Sequence, residues 1–193
     1  CDGGQAGGCF SLAFMLAEGQ GGPIDQVRAR DLYRTACQAD LKNACYNLGL
    51  LLANGEGGAA DKPQARTLFQ SACEKGHVSA CSNLARMLMR GDGGAQDAAE
   101  AMSLNAKACE SDHMAACFQL ATMLIDGRGT GRDEPRAREL FERACAARNA
   151  QACINMAVML EQGHGGARDE ARAKLFYDGA CQGAIETACG ILA

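Results

Sequence analysis

Apolar residues recur along the chain in short blocks separated by polar, glycine-containing breaks. In "ACYNLGLLLANG", from Ala44 to Gly55, Leu48, Leu51 and Leu52 fall at the i, i+3, i+4 spacing of one helical face, with Ala44 a turn earlier. The same slots hold Leu84, Met87 and Leu88, then Leu120, Met123 and Leu124. This pattern predicts a first helix, which stops at a glycine cluster: "GQGG" at Gly19, "GEGG" at Gly55, "GDGG" at Gly91, "GRGT" at Gly127 and "GHGG" at Gly163. Glycine supplies the left-handed conformation that ends a helix and reverses the chain. An aspartate follows each cluster (Asp25, Asp61, Asp97, Asp133, Asp169) and suits the N-cap of a second helix, with Pro63 and Pro135 in its first turn. That helix carries Ala65, Leu68, Phe69 and Ala72, repeated as Ala137, Leu140, Phe141 and Ala144. The unit is a helix hairpin.

The period is 36 residues, and the cysteines count it out in two series: Cys1, Cys37, Cys73, Cys109, Cys145, Cys181, and Cys9, Cys45, Cys81, Cys117, Cys153, Cys189. A period of this length means stacked supersecondary units that complete one another's core, so 1–193 is read as a single solenoid. Its full repeats run 9–44, 45–80, 81–116, 117–152 and 153–188, flanked by partial repeats 1–8 and 189–193.

Residues eight apart on one helix lie about 12 Å apart along its axis, too far for a disulfide. Bonded cysteines at this spacing therefore need a turn between them, and "QADLKNA", "EKGHVSA" and "ESDHMAA" are polar or mixed enough to supply one. An antiparallel hairpin also brings Cys45 near Cys73, but that scheme strands Cys1 and Cys189. Pairing eight apart uses all twelve cysteines: Cys1–Cys9, Cys37–Cys45, Cys73–Cys81, Cys109–Cys117, Cys145–Cys153 and Cys181–Cys189. Each bridge staples the end of one second helix to the start of the next first helix.

Composition narrows the class. The chain is 48% hydrophobic but has no Trp, six Phe and three Tyr, so its core is built of Leu, Ala and Met. Net charge is −4, and no Lys/Arg cluster interleaves with aromatics, which excludes a nucleic-acid footprint. No run of about 18 apolar residues offers a membrane span. So many regularly spaced cysteines indicate an oxidising compartment, periplasmic or extracellular. Structural zinc favours closer C-x₂₋₄-C spacing, and His77, His113 and His164 complete no periodic set, so neither metal nor cofactor is expected. The glycine clusters follow no strand and lead to no Gly-Lys-Ser/Thr, unlike a phosphate loop. The chain opens on Cys1, at the register where a second helix should end, and is read as a trimmed piece of a longer solenoid. A lipidated Cys1 is the competing reading and would leave Cys9 unpaired.

The string "ACxNLGxxL…GxGG…D…A…LFxxAC" at a 36-residue step resembles the Sel1-like repeat, a relative of the tetratricopeptide repeat, and the cysteines eight apart resemble its disulfide-linked subset typified by the Helicobacter cysteine-rich proteins. The resemblance implies an all-α, right-handed superhelical solenoid whose first helices line a concave surface, and a role as adaptor. It also implies an alternative, penicillin binding with weak β-lactamase activity, while a lipidated Cys1 would give a third, a lipid-anchored envelope adaptor. Ser11, Ser71, Ser79, Ser82, Ser103 and Ser111 form no S-x-x-K motif and the histidines no triad, so the chain is read as non-catalytic.

Binding is then placed on the first helices. One polar column runs Ser11, Asn47, Asn83, Gln119, Asn155; its amides, with donors and an acceptor each, suit the main chain of an extended peptide, or else bridge adjacent repeats. In related tetratricopeptide superhelices an asparagine ahead of Leu-Gly grips peptide, which transfers directly to Asn47 and loosely to Asn83 and Asn155. Slots that vary between repeats are the candidates for specificity: Leu50, Arg86, Thr122, Val158, and Asn54, Arg90, Asp126, Gln162. The second-helix column Arg30, Arg66, Arg138, Lys174, broken by Met102, is read as a solvated outer face. The expected partner is a protein or peptide, with the chain a subunit of an envelope assembly.

Overall fold

A computed structural model describes residues 5–182, and they divide into two compact units at Asp97/Ala98. The first holds α1 (Ala6–Glu18), α2 (Gln26–Gln38), α3 (Lys42–Asn54), α4 (Lys62–Glu74) and α5 (Val78–Arg90). The second holds α6 (Ala98–Glu110), α7 (Met114–Asp126), α8 (Glu134–Ala146), α9 (Ala150–Gln162) and α10 (Glu170–Gln182). Within the first unit α1 packs on α2, α2 on α3, α3 on α4 and α4 on α5; within the second the chain of contacts runs α6, α7, α8, α9, α10. Among the described residues there is no strand, and the fold is all-α, as the pattern predicts.

Each hairpin is defined at its ends by the residues the sequence offers. The first helices stop at Gly19, Gly55, Gly91, Gly127 and Gly163, whose φ values of 69°, 75°, 71°, 70° and 75° belong to the left-handed region. The second helices start where Asp25, Asp61, Asp133 and Asp169 accept from the backbone N–H three residues on, at 3.0, 2.9, 3.1 and 2.9 Å. Helices α3, α5, α7 and α9 each begin three residues ahead of the cysteine that marks the period. Sequence reading misses the reason. His77 and His113 belong to no periodic set in that reading, yet they share a slot with Asn149 as N-caps. His77 Nδ1 accepts from the Ala80 N–H at 3.2 Å, His113 Nδ1 from Ala116 at 3.3 Å, and Asn149 Oδ1 from Ala152 at 3.0 Å.

The cysteine pairing is the one predicted from spacing. Cys37–Cys45, Cys73–Cys81, Cys109–Cys117 and Cys145–Cys153 are bonded with Cα atoms 4.6, 4.7, 4.7 and 4.7 Å apart. Cys9 is also disulfide-bonded. Cys1, Cys189 and the side chain of Cys181 lie outside the described residues. The closed turn needs one left-handed residue, which is Asp40, Gly76, Asp112 or Arg148 in successive copies, at φ 70°, 77°, 57° and 63°.

Alanine at Ala44, Ala65, Ala72, Ala116, Ala137 and Ala144 lets helices approach closely, and Leu48, Leu52, Phe69, Leu120, Leu124 and Phe141 fill the space between them; all are buried. Aromatic pairs brace the hairpins, with ring centroids 5.7 Å apart for Phe10–Tyr33, 5.9 Å for Tyr46–Phe69 and 5.7 Å for Phe118–Phe141. Two buried residues depart from this scheme. Ser82 stands in the slot of Tyr46 and Phe118, and Asn105 in that of Tyr33, Phe69, Phe141 and Tyr177. Asn105 Nδ2 faces only the Met123 sulfur, at 3.6 Å, a weak acceptor for a buried amide.

The arginine column corrects a further expectation. Arg30, Arg66 and Arg138 are half-buried rather than a solvated face. Each donates from Nη1 to the loop carbonyl of the following hairpin: Ala59 at 3.1 Å, Ala95 at 2.8 Å and Ala167 at 3.2 Å. A backbone carbonyl left unpaired by the glycine-rich turn takes the guanidinium, which a hydropathy pattern alone does not reveal. Lys174 is exposed.

Candidate binding surface

The amide column sits half-buried on the first helices. In the first unit both of its asparagines are committed to tyrosines. Asn47 is hydrogen-bonded to the hydroxyl of Tyr33, a phenol whose pKa burial pushes above its ordinary value. Asn83 Nδ2 donates to the Tyr46 hydroxyl at 3.4 Å, while its Oδ1 accepts from Arg86 Nη2 at 2.7 Å. Asn47 thereby ties α3 to α2, and Asn83 ties α5 to α3, the first helix of the preceding hairpin. In the second unit Asn155 Oδ1 accepts from Gln151, one turn back, at 3.4 Å, and among the described residues its amide N–H groups have no hydrogen-bond acceptor.

The variable slots lie beside this column. Leu50 is half-buried, while Asn54, Arg86 and Arg90 are exposed on the first unit. Asn54 Nδ2 donates to Glu56 at 2.7 Å, which orients it along the loop. On the second unit the folded chain brings five of the slot and column residues into one groove of about 400 Å³: Thr122 and Asp126 from α7, Asn155, Val158 and Gln162 from α9. Gln119, from the same column, does not line it.

The floor of that groove is apolar, with Ile125, Phe141 and Met159, and its walls are polar. Thr122 spends its hydroxyl proton on the Phe118 carbonyl at 3.0 Å. Asp126 is paired with Arg128 at 3.1 Å. The glycine loop contributes His164, 3.4 Å from Glu134, whose Oε2 also accepts from Gly165 N–H at 3.1 Å. His164 and Glu134 were not candidates in the sequence. The signal was present, because "GHGG" is the one glycine cluster with a histidine.

Chemically, an apolar trough edged by an amide, a carboxylate and a histidine has the composition of a surface that can hold a peptide or a protein loop. Among the described residues no group of three or more His, Cys, Asp or Glu side chains is placed to hold a metal ion, and no helix is long and apolar enough to cross a membrane.

Comparison with known proteins places these features. The Sel1 repeat family model matches residues 6–41, 42–77, 78–113, 115–149 and 150–183. The chain is similar to the structure of c5321, a protective antigen of uropathogenic Escherichia coli with an SLR fold, at 24% identity and a TM-score of 0.92 over 97% of this chain and 40% of that one. A Sel1 repeat protein of Oxalobacter formigenes superposes with a TM-score of 0.91 at 21% identity, covering 98% of this chain and 75% of that one. Cysteine-rich protein B of Helicobacter pylori matches at 23% identity and a TM-score of 0.54, covering 66% of this chain and 96% of that one. The chain thus spans about two fifths of the length of the E. coli antigen. No curated protein sequence matches it.

Proposed function

The chain belongs to the Sel1 repeat family, and from that premise we propose that it is a non-catalytic scaffold in the periplasm or outside the cell, holding a protein or peptide on the exposed face of its first helices. Sel1 repeat proteins act in general as protein-interaction scaffolds. The disulfides suit an oxidising compartment, as does the likeness to a cysteine-rich Helicobacter protein.

One observation carries the reading. The groove on the second unit gathers the residues that vary from repeat to repeat, Thr122, Asp126, Val158 and Gln162, around an apolar floor. Packing holds a core slot to one residue type, whereas a recognition slot is free to follow its partner. The committed pairs of Asn47 and Asn83 put main-chain gripping chiefly on Asn155 rather than on the whole column.

The test is capture from an envelope extract with the oxidised chain, run beside the double variant Asn155→Ala, Val158→Glu. A retained melting temperature with loss of the captured protein supports the groove. Undiminished capture by the double variant places the interaction elsewhere.

A further inference from the structure

A second pocket of the second unit, of about 570 Å³, is walled by α6, α7, the loop that follows and the start of α8. One repeat on, the equivalent slots are occupied by an ion pair. Arg172 Nη2 donates to Glu142 Oε1 at 2.9 Å. Thirty-six residues earlier the arginine is kept, as Arg136, but the glutamate is Ala106. The strut is missing too, since Met102 stands where Arg30, Arg66 and Arg138 reach across to the next loop.

The result is a cavity with an apolar floor, Met102, Leu120 and Leu124, and a rim carrying Arg132 and Arg136. Both arginines are exposed, and among the described residues neither side chain is ion-paired. Asp133 also lines the pocket, but its Oδ1 is engaged as the α8 cap on the Arg136 N–H at 3.1 Å. What the site lacks is a carboxylate on a short aliphatic stem above Ala106.

We propose that this pocket takes a glutamate side chain of a partner protein, its methylenes on Met102 and Leu120 and its carboxylate between Arg132 and Arg136. The ligand chemistry is given by the Arg172–Glu142 pair, with the acid supplied in trans where Ala106 leaves it out in cis. This site differs from the first-helix groove in all its lining residues but Arg132, which borders both.

The experiment uses the isotope-labelled, oxidised chain and two peptides, acetyl-Leu-Glu-Leu-amide and acetyl-Leu-Gln-Leu-amide. The glutamate peptide is expected to shift the Met102 methyl and the Arg136 Nε resonances saturably, and the glutamine peptide to bind about two- to thirtyfold more weakly, the value of two exposed ion pairs. Ala106→Glu, which restores the carboxylate in cis, should abolish the shifts, and Arg136→Gln should weaken them comparably to the glutamine peptide. Equal binding of the two peptides overturns the proposal, as do undiminished binding to both variants and the absence of any saturable shift. Inorganic phosphate producing the same Met102 shift at the same concentration also overturns it, since the site would then be a general anion contact.

Discussion

The guanidinium of Arg66 occupies the space that a β-carbon on Gly94 would need: that carbon would lie 2.7 Å from Arg66 Nη1, the nitrogen that donates to the Ala95 carbonyl. Arg30 stands in the same relation to Gly58 and Arg138 to Gly166, at 2.6 Å each. Where Met102 replaces the arginine, the loop ends in Thr130 instead of glycine, and Thr130 Oγ1 lies 3.4 Å from the Met102 sulfur. At Gly58, Gly94 and Gly166 the final glycine of the "GxGG" cluster thus answers to the residue 28 positions earlier through close approach.

This pair should be coupled. Gly94→Thr alone is expected to lower stability by about 1–3 kcal/mol through overpacking, and Arg66→Met alone by about 1 kcal/mol through the lost hydrogen bond. Together they should cost less than the sum, with a coupling of roughly 0.5 kcal/mol or more in urea unfolding. Strict additivity would show that the glycine answers to something other than the guanidinium.

His77 should make stability depend on acid. Burial, set against its own backbone hydrogen bond and reinforced by nearby Lys42, holds its pKa below the ordinary value. Its ring stacks on Tyr46 with centroids 4.2 Å apart. A lowered folded-state pKa means the unfolded chain binds the proton more readily, so the contribution is full above the unfolded value of about 6.5 and is lost as pH falls through the depressed folded value. Protonated Nδ1 can no longer accept from Ala80. His77→Asn, which installs the cap already used at Asn149, should keep the melting temperature near pH 7.5 (about one unit above that value) and flatten its decline on acidification. An unchanged acid limb would remove His77 as its cause.

Reduction should unfold the hairpin stack in steps smaller than the whole. Each bridge closes a short loop worth roughly 2–3 kcal/mol in the chain-entropy account. Replacing Cys109 and Cys117 by alanine is expected to lower the urea midpoint without changing the other pairings, read by non-reducing peptide mapping. A variant that melts with the parent would mean the turn holds itself.

How much of this was legible in the sequence follows the range of each interaction. Helix faces, glycine stops, aspartate caps and disulfide partners are local or strictly periodic, and Leu48, Gly55, Asp61 and Cys73–Cys81 stand where the pattern puts them. The arginine struts and the histidine caps escaped it. Arg66 serves a carbonyl 29 residues away, and His77 looks unlike the Asn149 that performs the same task, so a search by residue type overlooks a register shared by acceptor geometry. For the binding surface, variability between repeats pointed to Thr122, Asp126 and Val158, but the floor of Phe141 and Met159 emerges only when two hairpins pack.

The central claim, that a partner is held on the first helices, is tested most directly by site-specific photocrosslinking. A benzophenone side chain at Val158 in the groove should yield an adduct with one envelope protein, whereas the same group at exposed Thr67 on a second helix should yield none. An adduct from Thr67 with none from Val158 would contradict the account.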